Sequence, residues 1–363
     1  MIHDVAIVGA GIAGASLASE LVGAGRIVLI EAESQPGYHA TGRSAAFWTE
    51  SYGGPAVQPL TTASHDWLAA GGFLTLRGAV HLAGPGDVGL LDAMLATFGD
   101  RVGLDRLDRD ALEGLIPGLR AGHDRALLEA STCDIDVAAL HADYLARGRR
   151  GGVDLLCHAQ IVAAARRGGV WDIALADGRR VAARVLVNAA GAWAGAVAAL
   201  AGASPIAIAP LRRTMVQLAV SPAPAPTLPL VIDIAGRFYL KPDVGGRLWL
   251  SPHDETPTPA GDVAADELDV AVAIDRLEWA VDWTVVARER AWAGLRSFAP
   301  DRAPVYGFDA RAPGFFWFAA QGGFGIQTAP AAAMVGAALL TGGVLPGAVA
   351  GVDAERYAPG RFG

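Results

Sequence analysis

The chain has 363 residues, enough for one large domain or two domains of ordinary size, and we expect two, each with a substantial core. Hydrophobic residues make up 52% of the sequence and charged residues 18%, with 46 glycines, which is typical of a tightly packed α/β enzyme and argues against disorder. The formal net charge of -8 includes no basic block, so the composition excludes an electrostatic footprint for nucleic acid.

The two cysteines, Cys133 and Cys157, are too few for a disulfide framework and too far apart for a C-x-x-C motif. The sequence begins on an apolar run without the features of a secretory signal, so we expect a cytoplasmic protein. The uncharged stretches 185–211 and 315–352 are long enough to cross a bilayer, but prolines, glycines and amide side chains interrupt both. Because buried parallel strands and their helices show the same pattern, we expect no membrane span.

The first stretch of the chain, residues 4–18, predicts a nucleotide-binding strand, turn and helix. An apolar run ends at Gly9, and Gly11 and Gly14 follow at G-x-G-x-x-G spacing. Gly9 permits a tight turn, Gly11 leaves room for a pyrophosphate beside the backbone, and Gly14 lets the helix lie close to the sheet. The next apolar run ends at Glu31, where a carboxylate can accept hydrogen bonds from an adenosine ribose. The motif predicts a dinucleotide without separating FAD from NAD.

The remaining elements follow from periodicity, turn residues and caps. Residues 32–46 are polar and glycine-rich, and we expect a ligand-wrapping loop that enters a helix at Ser44. Residues 47–54 form an aromatic segment that predicts a lid; the alternative is that its aromatic side chains anchor a surface loop. Further helices are predicted at 55–68, 86–97, 108–116, 136–150 and 267–281, and a last one begins near Ala329 with Thr328 as N-cap. Further strands are predicted at 79–82, 153–157, 161–165, 170–175, 181–187, 214–220, 238–241, 248–251 and 315–320.

The order of these elements predicts two interleaved domains. An α/β domain of the Rossmann type would bind the dinucleotide and would consist of residues 1–73, 139–213 and 292–363. An α+β domain built from residues 74–138 and 214–291 would hold the substrate. We expect the site to lie between the two.

Several blocks taken together resemble the D-amino acid oxidase superfamily of flavoproteins, and within it the FAD-dependent D-arginine dehydrogenases. The blocks are VGAGIAG at 8–14, GRSAA at 42–46, VNAAGAW at 187–193 and AAQGGFG at 319–325. The resemblance implies FAD as the cofactor and a fold of the glutathione-reductase type in its D-amino acid oxidase branch. Residues 292–298 contain no cysteine, although sarcosine oxidases attach flavin covalently in this region, so we expect non-covalent FAD.

The resemblance also implies which residues form the site. For the cofactor these are Gly9, Gly11, Gly14 and Glu31 at the ADP half, and Arg43, Ser44, Ala45, Ala190, Gly191, Trp193, Gly322, Gly325 and Ile326 nearer the flavin. For the substrate they are Tyr52, Arg212, Tyr239 and Arg296, with the Gly323 carbonyl as partner of the amine. A planar guanidinium fixes a carboxylate in a charge-assisted fork, and the phenol hydroxyls close the geometry. Arg213 competes with Arg212 for this role.

Two departures from the family pattern favour a less polar pocket. Ala79 replaces the glutamate that would bind a substrate guanidinium, and Phe47 replaces an active-site histidine. His81, on the same strand face as Ala79, and Glu50 in the predicted lid are candidates to restore polarity; the alternative is that both are ordinary solvated side chains.

These observations favour an FAD-dependent dehydrogenase that transfers a hydride from Cα of a neutral or hydrophobic D-amino acid to flavin N5, with hydrolysis of the imino acid to a 2-oxo acid and ammonia. Two alternatives stay open: an oxidase or dehydrogenase of N-substituted or cyclic amino acids, of the sarcosine, glycine or proline type, and a flavin-binding protein without turnover. Residues 248–250 lack the lysine that assists oxygen in sarcosine oxidases, which favours a dehydrogenase with a quinone or another carrier as acceptor, although Lys241 lies nearby. No metal-binding motif is present, so we expect no metal.

Overall fold

The computed structural model describes residues 1–363, and it contains eight α-helices and twenty β-strands in three sheets. The helices are α1 (Ile12–Glu20), α2 (Gln58–Ala70), α3 (Val88–Phe98), α4 (Arg109–Leu115), α5 (Val137–Arg150), α6 (Ala194–Ala201), α7 (Glu267–Ala280) and α8 (Ala329–Thr341). The strands are β1 (Ile2–Val8), β2 (Ile27–Ile30), β3 (Phe47–Trp48), β4 (Leu74–Leu76), β5 (Ala79–Ala83), β6 (Asp105–Leu107), β7 (Arg125–Glu129), β8 (Cys133–Ile135), β9 (Asp154–Leu156), β10 (Ile161–Arg167), β11 (Val170–Leu175), β12 (Arg180–Asn188), β13 (Ala209–Ser221), β14 (Leu230–Asp233), β15 (Tyr239–Asp243), β16 (Arg247–Ser251), β17 (Thr256–Pro257), β18 (Thr284–Phe298), β19 (Val305–Phe308) and β20 (Phe315–Ala319).

The first large sheet carries the glycine-rich turn. Its strands run in the order β10-β11-β12-β1-β2-β9, with β20 beside β12 and β19 beside β20. The five strands β20, β12, β1, β2 and β9 pair in parallel, while β10, β11 and β19 are antiparallel. Alternate residues of β1 enter two different cores, since Val5 and Ile7 lie in one and Ala6 and Val8 in the other. Both faces of this sheet are therefore covered, as a parallel sheet requires.

The second large sheet has nine strands in the order β17-β13-β16-β15-β14-β5-β7-β6, with β18 also paired to β13. All its pairings are antiparallel except the one between β14 and β5. Helix α7 buries Val270, Ala273 and Leu277 in the same core as Val216 and Leu250 of the sheet. A third, small sheet joins β3, β8 and β4 in antiparallel order.

The two large sheets draw on the segments that the sequence predicts for the two domains. Strands β1, β2, β9 to β12, β19 and β20 come from the three cofactor segments, and β5 to β7 and β14 to β16 come from the two substrate segments. Strands β13 and β18, however, cross the predicted boundaries and pair along their length, from Ala209 opposite Phe298 to Ser221 opposite Thr284. These two long strands therefore connect the halves of the molecule at the site.

Some local expectations are wrong in detail. No helix begins at Ser44; residues 47–48 instead form β3, whose Phe47 lies opposite Asp134. Thr328 does precede α8, but its hydroxyl donates to the Phe324 carbonyl and caps no helix N–H. None of the eight helices combines the length and the apolarity that a bilayer crossing requires.

Candidate active site

Two connected cavities lie where the first sheet meets the β13–β18 pair. The first, of about 270 Å³, extends along the glycine-rich turn and past Glu31. The second, of about 130 Å³, lies between β13, β15, β18 and the segment before α8. They share part of their wall, including Arg43 and Gln321, so one elongated ligand could occupy the first and reach into the second. We name them the cofactor cavity and the substrate cavity.

Glycine is required at two positions where β1 leads into α1, Gly9 and Gly14. Gly9 has a φ of +100°, and a Cβ there would lie 2.4 Å from the Ala189 carbonyl oxygen. A Cβ on Gly14 would lie 1.8 Å from the Gly9 carbonyl oxygen, so Gly14 sets the packing of α1 and lines neither cavity. Gly11 precedes α1 without a side-chain cap and lines the cofactor cavity. The positive end of the helix dipole therefore lies beside this cavity, where it suits a phosphate.

Glu31 is buried at the wall of the cofactor cavity. One carboxylate oxygen accepts from the Ala10 amide at 2.8 Å, and the other accepts from the Glu33 amide at 3.0 Å. Each oxygen retains acceptor capacity, because an ionised carboxylate has about four lone-pair sites. Glu31 is thus held in place by the backbone and can still accept a hydrogen bond from a ribose hydroxyl.

The other residues predicted for the cofactor divide between the two cavities. Ala190, Gly191 and Trp193 line the cofactor cavity, as do Gly9, Gly11 and Glu31. Ser44, Ala45, Gly325 and Ile326 line the substrate cavity, and Arg43 and Gly322 line both. The Arg43 guanidinium is anchored by Asp262 at 2.5 Å and by the Val263 carbonyl at 2.9 Å. Neither cysteine lines either cavity.

Besides Arg43, two further arginines and two tyrosines meet in the substrate cavity. Arg213, Arg296, Tyr52 and Tyr239 all line it, together with the apolar side chains of Phe47 and Met215. Arg296 Nη1 donates to the Tyr52 hydroxyl at 2.8 Å, and Tyr239 donates to the Met215 sulfur at 3.0 Å. Burial favours a raised pKa for Tyr52, but Arg296 and Arg213 outweigh it, so the pKa of this phenol is lowered.

The structure does not bring Arg212 to the cavity. Its guanidinium pairs with Asp269 at 2.7 Å and with Asp266 at 3.5 Å, on the other side of β13. Successive residues of a strand point to opposite faces, so either Arg212 or Arg213 can face the cavity but not both. Arg213 does so, and the predicted place of Arg212 in the site is corrected in favour of its neighbour.

Two of the three cavity arginines each keep one N–H without a partner. Arg213 Nη1 and Arg296 Nε are buried and have no hydrogen bond within the protein. Because an unpaired buried donor is costly, these atoms indicate that a ligand acceptor completes the site. Gly323 also lines the cavity, and no donor of the protein hydrogen-bonds its carbonyl oxygen. A Cβ on Gly323 would lie 2.9 Å from Arg296 Nη1, so glycine lets the guanidinium approach the backbone here.

Glu255, which the sequence did not reveal, holds the arginines from behind. One of its oxygens accepts from Arg296 Nη2 at 2.6 Å, from Arg302 Nη2 at 2.8 Å and from Arg213 Nη2 at 3.5 Å. Burial would raise the pKa of Glu255, but Arg302 and Arg296 outweigh it and lower the pKa. The neighbouring His253 is neutral, because burial and the charges of Arg213 and Arg296 lower its pKa to about 3.

His81 and Glu50, the two candidates to restore polarity, do not line the substrate cavity, and neither do Ala79 and Lys241. Ala79 is fully buried in an apolar cluster with Phe47, and His81 contacts the buried Glu129 at 3.1 Å. Glu50 accepts from the Thr62 hydroxyl, and Lys241 pairs with Asp134 at 2.8 Å. The cavity wall contains no carboxylate and no histidine.

Comparison with known proteins agrees with this architecture. A family model described as FAD dependent oxidoreductase, DAO, matches residues 4–339. The chain belongs to the DAO family of FAD-dependent oxidoreductases. Glycine oxidase of Pseudomonas aeruginosa is 29% identical over 373 residues, covering 94% of this chain and 96% of the relative.

Solved structures of similar fold include two other enzymes. L-proline dehydrogenase from P. horikoshii has a TM-score of 0.84 at 20% identity, covering 99% of this chain and 98% of that one. Glycine oxidase from Geobacillus kaustophilus has a TM-score of 0.81 at 23% identity, covering 94% and 95%. The predicted family and fold class are thereby confirmed. These relatives include no D-arginine dehydrogenase, so that finer resemblance stays a prediction.

FAD is the cofactor of this DAO-family protein, and the residues present fit it. The helix N-terminus beside Gly11 suits the pyrophosphate, and Glu31 suits the ribose. The shared wall around Gly322 lets the flavin end reach the substrate cavity. Both cysteines lie outside the cavity walls, so the fit requires no covalent attachment to sulfur.

Sequence reasoning missed several residues of the site. Met215 follows Arg213 by two positions in β13, so the strand period of two would have placed both on one face once either was known to line the cavity. Gln321 lines both cavities and lies within the block 319–325 that carries the family resemblance, but it is not among the predicted site residues. No sequence signal indicated Glu255, since its role depends on three arginines that are distant along the chain.

Proposed function

We propose that this DAO-family enzyme oxidises the Cα–N bond of small, neutral amino acids of the glycine, N-substituted glycine or proline type. One observation carries the proposal: a small cavity holds two guanidiniums with unpaired buried N–H groups, Arg213 Nη1 and Arg296 Nε, and no carboxylate. Such a wall fits a ligand with one carboxylate and no cationic side chain.

The carboxylate of the substrate would accept from Arg213 and Arg296. Both guanidiniums are held from behind by Glu255, which fixes their spacing before the substrate arrives. Tyr52 is hydrogen-bonded to Arg296 and would close the pocket over the carboxylate together with Tyr239. Hydrogen bonds from the two arginines to the carboxylate would orient the substrate and leave its Cα free to face the cofactor.

The amine end would meet the free carbonyl oxygen of Gly323. A cationic side chain on the substrate would be buried without a counter-charge, which costs several kcal/mol by general estimates. The cavity volume of about 130 Å³ and the apolar side chains of Phe47 and Met215 favour short, uncharged substituents.

FAD, when bound, supplies a two-electron acceptor for the hydride that leaves Cα. The substrate would react as the neutral amine, after its ammonium proton has passed to water, and the nitrogen lone pair would form the C=N bond as hydride departs. No histidine or carboxylate lines the cavity, and this step needs neither to take a proton from Cα. The arginines keep the carboxylate ionised and in place during this change. Water then converts a primary imine into a 2-oxo acid and ammonia, or into glyoxylate and ammonia when the substrate is glycine.

A second candidate is oxidation of a neutral or hydrophobic D-amino acid. It is favoured by the apolar cluster in which Phe47, Met215 and Tyr239 surround the buried Ala79. The larger side chain of such a substrate would then either displace one of these side chains or extend along the wall that the two cavities share. A flavin-binding protein without turnover is the remaining alternative.

The deciding experiment mixes the purified FAD-loaded protein anaerobically with a panel of amino acids and follows the loss of the visible flavin absorbance. The panel contains glycine, sarcosine, D- and L-proline, D- and L-alanine, D-leucine and D-arginine. We expect rapid bleaching by a member of the glycine, sarcosine or proline group and none by D-arginine. Bleaching chiefly by D-leucine or D-alanine would favour the second candidate, and no bleaching by any member would refute both.

A further inference from the structure

The mechanism above does not use the most completely buried carboxylate near the site. Glu129 ends β7, has 0% exposure and lines neither cavity. A buried ion is costly unless its hydrogen bonds are satisfied, so its partners reveal what it stabilises.

The hydrogen-bond partners of the Glu129 carboxylate are two consecutive residues, Glu50 and Ser51, and one histidine, His81. Oε1 accepts from the backbone amides of Glu50 at 2.7 Å and Ser51 at 3.3 Å. Oε2 accepts from the Ser51 hydroxyl at 2.5 Å and contacts His81 Nε2 at 3.1 Å. Three of the four contacts thus belong to two consecutive residues, and His81 on the neighbouring strand β5 supports the carboxylate from the side.

The next residue in the chain is Tyr52, whose hydroxyl accepts from Arg296 in the substrate cavity. Its carbonyl accepts from Gln327 Nε2 at 3.0 Å, so the segment is tied to the start of α8 on its other side. Gly53 and Gly54 follow with φ values of +104° and +75°. Tyr52 therefore sits on a tight turn whose position relative to the substrate sheet is fixed by Glu129.

We propose that Glu129 is a positioning residue for substrate binding, which acts through Tyr52. Its carboxylate ties the Glu50–Ser51 backbone to β7 and so sets the distance between the Tyr52 hydroxyl and Arg296. The kinetic part of this inference rests on the proposed function, whereas the attachment of the turn does not.

The test compares three substitutions of Glu129 in the FAD-loaded protein. Glu129→Leu removes every acceptor, and we expect a rise in substrate KM of about tenfold with kcat within about threefold of the original. Glu129→Gln keeps a carbonyl oxygen for the two amides, while Ser51 and His81 can accept from its NH2, so KM should stay within about threefold. Glu129→Asp keeps a carboxylate but has a shorter side chain, and its KM should fall between those of the leucine and glutamine variants. This variant replaces Glu129→Leu in the test if the leucine variant fails to fold.

A matched control separates positioning from general stability. Asp309 is also buried and accepts from the amides of Ser204, Arg311 and Ala312 and from the Trp317 indole, but it lines neither cavity. Asp309→Leu should lower Tm as Glu129→Leu does and leave KM unchanged. A KM that rises equally in both would overturn the proposal.

A double-mutant cycle tests whether the effect passes through Tyr52. If it does, Glu129→Leu introduced into a Tyr52→Phe background should raise KM by less than about twofold more. If the KM of the double variant instead rises by the product of the two single-variant fold-changes, Glu129 acts on binding by a route other than Tyr52. That result would overturn the proposal.

Hydrogen exchange of the backbone amides at Glu50 and Ser51 supplies a readout without turnover. Protection should be lost in Glu129→Leu and retained in Glu129→Gln, and unchanged protection in the leucine variant would refute the attachment. If no amino acid bleaches the flavin of the unaltered protein, the proposed function fails, while this measurement still decides the role of Glu129.

Discussion

The two joined cavities are built in different ways. At the cofactor cavity, the groups that suit the phosphate and the ribose are close in sequence, with Gly9, Gly11 and the ordered Glu31 within one strand-helix-strand unit, while the rest of the wall comes from distant segments. The substrate cavity is formed by long side chains from distant segments, with Tyr52, Arg213 and Arg296 held in place by ion pairs and hydrogen bonds. The first depends on what the backbone can adopt and the second on which way side chains point, so they should respond differently to substitution.

The largest effect is expected where α1 packs against the glycine turn of the cofactor cavity. Gly14→Ala would place a Cβ 1.8 Å from the Gly9 carbonyl oxygen, which is backbone and cannot swing away. We expect loss of bound FAD and of soluble folded protein, measured as the flavin-to-protein ratio and the Tm. Gly89→Ala in α3, where a Cβ meets nothing within 4 Å, is the control and should retain both. A yellow, stable Gly14→Ala protein would contradict the backbone account.

The next effect distinguishes the two adjacent arginines of β13. Arg213→Met should lower kcat/KM by about 30-fold or more, since a charged hydrogen-bonded contact contributes about 2 kcal/mol. Arg212→Met should change kcat/KM by less than about threefold, because Arg212 pairs with Asp269 away from the cavity. Steady-state kinetics with the best substrate of the panel measures both. The reverse order would restore Arg212 to the site.

A smaller effect is expected from Glu31, the carboxylate predicted from the sequence to bind the ribose in the cofactor cavity. In Glu31→Gln, one of the oxygens that accept from Ala10 and Glu33 becomes an NH2 facing a backbone N–H. We expect FAD to bind about tenfold more weakly, from the loss of about one charged hydrogen bond. Titration of the apoprotein with FAD gives the Kd. Asp154→Asn on β9 is a control that should bind FAD normally, and equal affinities for all three proteins would exclude Glu31 from cofactor binding.

The smallest effect concerns Glu255 and depends on pH. Its pKa in the folded protein lies below the ordinary value of 4.5, because Arg302 and Arg296 outweigh burial. The stabilisation is therefore complete above pH 4.5 and is lost as the pH falls through the lowered pKa. Glu255→Gln should lower Tm by on the order of 1–2 °C at neutral pH, with the difference shrinking below the ordinary carboxyl pKa. A Tm difference that grows as the pH falls would contradict a lowered pKa for Glu255.

Local sequence was sufficient for much of the fold. The predicted strand at 79–82 is β5, and the predicted helices at 136–150 and 267–281 are α5 and α7 to within one residue at each end. Ser44 was assigned wrongly to a helix because its small, polar neighbours fit a helix start, whereas pairing of Phe47 with β8 draws the segment into a strand. Strand pairing with a distant partner is invisible to a local pattern.

The substrate residues were predicted only as far as their types and approximate positions. Tyr52, Tyr239, Arg296 and Gly323 do line one cavity, as the family resemblance implied. Their roles in binding stay predictions, and the choice of Arg212 over Arg213 was wrong. The burial of β13 does not alternate cleanly along its length, and a local pattern of this kind does not indicate which face meets the cavity.

By itself, the sequence determined the phosphate turn and the order of the elements, because these depend on glycine conformations and on hydrophobic periods that act within a few residues. The FAD family followed from the resemblance of four sequence blocks, not from these local patterns. The tertiary structure alone decided which arginine faces the substrate, that Glu255 holds both guanidiniums, and that Glu129 fixes the turn of Tyr52. Those arrangements join residues that are far apart along the chain. Their charges and hydrogen bonds find partners only once the two sheets have packed together.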